Sequence, residues 1–217
     1  MSTGTIELAL FPLNVVLFPG TVLPLHIFEP RYRQMISDCQ QQEKPFGVVL
    51  VAPGSEFMAE VPYPVGTMAE IHNLDHLPDG RYTLVGVGTT RFRIIRQHRE
   101  KAYLSGIVEP FTDSIEPQSE LNMVKTQARK LFDDYLHMLL KAANEPDVQT
   151  SLPEQPEELS HFIAYFLDIQ NETRQHLLEL TSTRQRLQEE ISILQREIPF
   201  LRQILLEGPP NDRSRLN

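Results

Sequence analysis

Leu8-Ala9-Leu10-Phe11-Pro12-Leu13-Asn14-Val15-Val16-Leu17-Phe18-Pro19-Gly20-Thr21-Val22-Leu23-Pro24-Leu25-His26-Ile27-Phe28 runs for 21 residues between Glu7 and Glu29 without a charged side chain. That is long enough to cross a bilayer as a helix. Pro12, Pro19 and Pro24 each remove a backbone donor, and Pro19-Gly20 is a turn that divides the run. Two short buried strands fit the pattern better. A secretory signal needs a basic start, and the only charged side chain before the run is Glu7. The expectation is therefore a cytoplasmic protein.

Outward from this stretch, apolar runs alternate with turn residues: Ile6 to Phe11, Val15 to Phe18, Val22 to Phe28, Phe46 to Val51, Val65 to Ile71, Tyr82 to Val87, Arg91 to Arg96 and Tyr103 to Val108. This is the spacing of a barrel or sandwich. Pro78-Asp79-Gly80 predicts a hairpin turn, because proline sets φ and glycine accepts a positive φ. One early helix is expected from Pro30, with Met35, Ile36 and Cys39 on its buried face.

Nine of the ten glycines lie between Gly4 and Gly106, and none lies from Ile107 to Glu207. Beyond about Pro117 the period is helical. Leu121, Val124, Ala128, Leu131, Phe132, Tyr135 and Leu139 form one stripe, and further helices are expected around 157–167 and from Asn171. Leu187, Ile191, Leu194, Ile198, Leu201 and Leu205 follow the four-three rhythm of a packing seam. Pro199 is expected to kink or break that last helix. Gly208-Pro209-Pro210 should end it and reads as a natural stop. The resulting division is a strand subdomain over 1–117, a helical subdomain over 118–207 and a disordered tail over 208–217.

Twenty basic against 29 acidic side chains leave a net charge of -9. This argues against a general electrostatic grip on nucleic acid or anionic lipid. The single cysteine excludes an internal disulfide and any multi-cysteine metal site.

Several strings, in order, carry a resemblance: Leu10-Phe11-Pro12-Leu13, Leu17-Phe18-Pro19-Gly20, Leu23-Pro24-Leu25 and Ile27-Phe28-Glu29-Pro30-Arg31-Tyr32, then Gly66-Thr67-Met68-Ala69-Glu70-Ile71, Pro78-Asp79-Gly80-Arg81-Tyr82 and Gly88-Thr89-Thr90-Arg91-Phe92-Arg93-Ile94. Together they resemble the Lon substrate-binding (Lon N-terminal) domain, over about residues 6 to 206. The resemblance implies an α+β fold, with a PUA-like pseudo β-barrel followed by an α-helical bundle. It also implies recognition of protein or peptide substrates for an ATP-dependent protease. The chain contains no Gly-x-x-x-x-Gly-Lys-Ser/Thr phosphate loop. It resembles stand-alone members of the family that lack the ATPase and peptidase modules.

Candidate chemistry is sparse. His72-Asn73-Leu74-Asp75-His76 lacks the glutamate of a zincin helix and reads as a polar loop, and His26 reads as a core or edge histidine. No nucleophile signature surrounds Cys39. The pairs Asp133-Asp134, Glu157-Glu158 and Glu189-Glu190 read as solvated helix faces. Arg91, Arg93, Arg96, Arg99 and Lys101 form the one dense basic run, with Arg91 and Arg93 expected on an outer strand face.

The chain is accordingly expected to be no enzyme, with no cofactor or metal. The expected partners are unfolded or partly apolar polypeptide segments, with a protease or chaperone as a further partner and no membrane. Recognition is assigned to an apolar groove between barrel and helices, and to Phe28, Arg31, Arg33, Met35 and Arg91. The alternative is an RNA-binding PUA-like protein that uses the Arg91–Lys101 run.

Overall fold

A computed structural model describes residues 4–54, 61–143 and 151–207. The first strands are β1 (Ile6–Leu13) and β2 (Val22–Ile27), followed by helix α1 (Pro30–Gln41) and then β3 (Phe46–Val51), β4 (Pro62–His76), β5 (Tyr82–His98) and β6 (Ser105–Phe111). The sheet order is β2-β5-β4-β3-β1-β6, and β5 also pairs with β6, so five strands close into a ring. Long β5 makes this possible. Its first half pairs with β2 and its second half with β6. All pairings are antiparallel except β1 with β3, which are joined through α1.

The charge-free stretch is explained by two apolar clusters on opposite faces of β1. Leu8 and Leu10 join Val49, Met68, Phe92 and Val108, which come from all five strands of the ring and fill its interior. Phe11 faces the other way, into a cluster with Tyr32, Met35, Ile36 and Cys39 of α1 and with Phe46, Ala69 and Leu84. A strand buried on both faces reads as a continuous apolar run. The ring is tight: a Cβ on Gly47 would lie 2.6 Å from Phe92 Cζ and 2.8 Å from Leu8 Cδ2.

Three strand expectations change. Val15 to Phe18 is not a strand, yet Val16, Leu17 and Phe18 are buried. Their loop is held by side chains instead, since Thr67 Oγ1 donates to Leu17 O at 2.6 Å and Thr21 Oγ1 to Phe18 O at 2.8 Å. The runs at 82–87 and 91–96 form the single strand β5. The histidine-bearing segment 72–76 is the end of β4 rather than a loop, with Asn73 at φ 48° beside a register shift. The hairpin turn is as expected, with Gly80 at φ 81° and Gly80 N–H donating to Leu77 O at 2.9 Å.

The free edge of β2 contains Pro24. Gly88 N–H donates to Thr21 O. By the two-residue period of an antiparallel ladder, Leu23 and Leu25 then face β5, while Val22, Pro24 and His26 face outward. Proline at an outward position costs the ladder no bond.

The helices that follow are α2 (Gln118–Ala142), α3 (Pro156–Phe166), α4 (Asn171–Glu179) and α5 (Thr183–Glu207). The chain forms two compact units, and the division is not a single cut near 117. One unit is Met1–Ser114 with Ala164–Thr181, and the other is Ile115–Ile163 with Ser182–Asn217. Residues 164–181 group with the strands because α4 bonds to them: Gln175 Nε2 donates to Val65 O at 3.0 Å, and Asn171 Nδ2 to Asn14 O at 2.9 Å.

In the second unit α2 packs on α5. Leu187, Ile191, Leu194 and Ile198 are buried as the seam requires. Helix α5 continues through Pro199. The expected tail over 208–217 lies outside the described residues.

Candidate functional site

Helix α1 begins at Pro30, whose missing N–H is no loss at a first helical position. Its apolar face, Tyr32, Met35, Ile36 and Cys39, is buried against the sheet. Five residues were expected to form a binding site, and the structure separates them.

Phe28 and Arg31 lie on the surface at the start of α1. Phe28 is 61 % exposed, with its ring 6.2 Å from that of His26. Arg31 stacks on Tyr32 at 4.4 Å, and its Nε donates to Glu29 Oε2 at 2.9 Å. Arg33 is half-buried and turns to the hairpin, donating from Nη1 to Gly80 O at 3.1 Å.

Met35 is wholly buried and belongs to the core, so it cannot meet a ligand in this fold. Arg91 is 2 % exposed and is not on an outer face. It pairs with Asp113 and donates from Nη1 to Leu178 O at 2.9 Å and Leu180 O at 2.6 Å. Alternation does place Arg91 and Arg93 on one side of β5, where both guanidinium groups lie over Phe111 at 4.7 and 5.2 Å. At Arg91 that side is covered by the chain around 178–180 and by Asp113, while Arg93 stays exposed.

Arg99 and Lys101, at the other end of the basic run, follow β5 in the connection to β6. With Arg31, Ala102, Tyr103 and Leu104 they line a concavity of ≈ 220 Å³. Lys101 and Tyr103 also wall a smaller concavity of ≈ 40 Å³, together with Asp38, Cys39, Lys44 and Pro45. Cys39, Lys44 and Pro45 in turn belong to a third, of ≈ 440 Å³, reaching Glu70, Ile71, His72 and Leu74. The shared wall residues set the three concavities side by side, a row that forms a trough beside α1. It is cationic at one end, and at the other it carries Pro45, Ile71 and Leu74 among Glu43, Lys44, Glu70 and His72. Sequence spacing showed Arg99 and Lys101 but not their meeting with Arg31, some seventy residues away.

The trough offers little for chemistry. Burial, reinforced by Asp38, pushes the Cys39 thiol up to about 11, so it stays protonated at neutral pH. Tyr103 donates to Asp38 Oδ2 at 2.7 Å, and burial together with that bond raises its phenol further. Among the described residues, no group of three His, Cys, Asp or Glu side chains is placed to hold a metal ion. No helix among them is long and apolar enough to cross a membrane.

One expected polar surface is misplaced in the second unit. Glu190, read as solvated, is fully buried on α5, near the equally buried Arg186. Arg186 Nε donates to Ser160 Oγ at 3.1 Å, whereas neither carboxylate oxygen of Glu190 has a hydrogen-bond partner among the described residues.

Among the described residues, a six-stranded mixed sheet in which five strands close into a ring, with one helix on it and four more helices, defines an α+β protein with a surface trough. Residues 7–196 match the family of the ATP-dependent protease La (LON) substrate-binding domain, and the chain belongs to that family. It is similar to the Lon protease of Bacillus thuringiensis (strain Al Hakam), 26% identical over 207 residues that cover 93% of this chain and 26% of the relative. The Lon protease of Anaeromyxobacter dehalogenans (strain 2CP-C) is 29% identical over 205 residues, covering 90% and 24%. The chain thus spans about a quarter of the length of these curated relatives.

Among solved structures, the Lon N-terminal domain protein from Xanthomonas campestris superposes with a TM-score of 0.64 at 28% identity, covering 86% of this chain and 98% of that one. The N-terminal domain of Mycobacterium avium complex Lon protease gives a TM-score of 0.68 at 18% identity, covering 88% and 98%, a likeness of fold. The resemblance and the α+β class read from the sequence both hold.

Proposed function

We propose that this chain is a non-catalytic module that recognises extended polypeptide segments, and that the trough along α1 is where it holds them. The trough carries the reading. Helix α1 has 12 residues, so the path along it is about 18 Å. At about 3.3 Å per residue this accommodates roughly five residues of extended chain. A linear polymer can follow such a path through successive concavities, whereas a compact metabolite would occupy one of them alone.

Membership of a substrate-binding family supports a polypeptide as the occupant. A protease or chaperone then receives the segment, or the chain acts alone as a holding factor. Affinity is modest, because a disordered segment must be ordered on binding. Of the residues expected from sequence, Arg31 belongs to the trough, Phe28 is an exposed apolar contact beside it in sequence, and Arg33, Met35 and Arg91 serve the fold. The RNA-binding alternative loses its leading arginine, since Arg91 is buried.

Photo-crosslinking tests the proposal without altering the protein. An unfolded casein fragment carrying a benzophenone should crosslink to the full chain at Gln42, Lys44 and Lys101, with saturation in the micromolar range. Crosslinks confined to other surfaces, or no binding, would overturn it.

A further inference from the structure

The two ends of the trough differ in charge. The concavity at the start of α1 is lined by Arg31, Arg99, Lys101, Ala102, Tyr103 and Leu104, three cations without a carboxylate among them. Two of these cations already hold carboxylates at the rim: Arg31 holds Glu29 at 2.9 Å and Lys101 holds Glu7 at 3.5 Å. Both acids are about half exposed, with side chains 40% and 52% accessible. Exposed pairs of this kind are weak and exchange readily. The cations of this concavity thus already accommodate carboxylate oxygens, in two exposed pairs that an incoming carboxylate can exchange with.

We infer that the Arg31–Arg99–Lys101 concavity recognises a carboxylate of the bound polypeptide, an acidic side chain or a chain terminus, and so fixes the direction in which the segment lies along α1. The inference rests on the polypeptide-binding reading and deepens it. Size selects the ligand. A space of ≈ 220 Å³ takes one small anionic group and is below the ~300 Å³ at which pockets for compact ligands begin. The opposite end favours an apolar side chain against Pro45, Ile71 and Leu74. The preferred segment thus has an acidic group about five residues from a large apolar one, the separation set by the ~18 Å path.

Two fluorescein-labelled decapeptides test this, one with a pair of Glu residues placed five positions from Leu, the other with Gln in their place. The full chain should bind the Glu peptide about tenfold more tightly at 0.15 M salt. The preference should shrink towards unity in 1 M NaCl, where charges are screened beyond about 3 Å. Arg99→Gln with Lys101→Gln, at exposed positions, should bring the ratio of the two affinities to about unity, with circular dichroism confirming that the variant is folded.

Equal binding of the two peptides by the unaltered protein overturns the inference and leaves the polypeptide reading standing. Failure of both peptides and of unfolded casein overturns both. A preference that survives the double substitution places carboxylate recognition elsewhere and also overturns it. So does displacement of the Glu peptide by a short RNA at 0.15 M salt, which would assign the concavity to phosphate.

Discussion

Each compact unit buries a charged side chain, and the two are treated differently. In the strand unit, Arg91 has Asp113 beside it and two carbonyl oxygens, of Leu178 and Leu180, within hydrogen-bond reach. In the helical unit, Glu190 is as deeply buried, and its oxygens meet no hydrogen-bond donor among the described residues. Burial alone does not give the sign of a charge's contribution; its partners do. The first charge ties residues 164–181 to the strands. The second has the equally buried Arg186 near it but no hydrogen-bond donor among the described residues.

The largest consequence follows for Arg91. Arg91→Leu leaves Asp113 buried without its cation and removes the guanidinium bonds to the Leu178 and Leu180 carbonyls, and should cost about 3–5 kcal/mol. Urea unfolding followed by circular dichroism should show it as a lower midpoint. Hydrogen exchange should show early opening at 171–180, before the ring strands. Replacing Asp113 as well, in Arg91→Leu with Asp113→Leu, should recover part of the loss. A change below 1 kcal/mol in the single variant would mean that the pair does not tie this segment down.

These side chains also show where sequence reading succeeded and where it failed. The start of α1, its buried face and the seam of α5 follow from local periods, and the structure places them so. The short apolar runs indicated a barrel or sandwich, and the structure shows the ring. Alternation along β5 correctly put Arg91 and Arg93 on one side. It could not show that the side is covered, because the cover comes from carbonyls 87 and 89 residues away. The trough failed to appear for the same reason, since Arg31 and Lys101 meet only once the ring has closed. Glu190 was misread because a carboxylate in a helix is normally solvated, and the apolar seam beside it gave no sign of widening to include it.

A smaller effect should separate the two units by their prolines. Pro24 sits at an outward position of an edge strand, where no ladder bond is lost. Pro199 lies within α5, so the carbonyl of Gln195 has no N–H four residues on to accept from. Pro199 is exposed, so replacing it disturbs no packing. Pro199→Ala should stabilise the helical unit by about 1–3 kcal/mol. A rise in melting temperature of several degrees would register it. Pro24→Ala should change little, and its new outward N–H would leave a more open edge for strand pairing. If both alanine variants melt like the parent, the helix has already absorbed its proline and this contrast between the units disappears.

The smallest effect, and the sharpest contrast with Arg91, belongs to Glu190. Burial raises its carboxyl well above the ordinary glutamate range, against the pull of Arg186 and with a further push from Glu189. A folded-state pKa above the unfolded one means that the native state binds the proton more tightly. The stabilising contribution is then complete below about 4.5 and is lost as pH rises through the raised folded value. Glu190→Gln keeps the shape and removes the titration. The variant should match the parent at pH 4 to 5 and gain on it towards pH 8, by an amount on the order of 1 kcal/mol. Urea midpoints of both proteins at intervals from pH 4 to 8 measure this directly, and titrations common to both cancel in the difference. A flat difference would show that Glu190 is solvated or paired in solution. A difference of the opposite slope would make it a charge stabilised like Arg91, and the two units would then follow one rule.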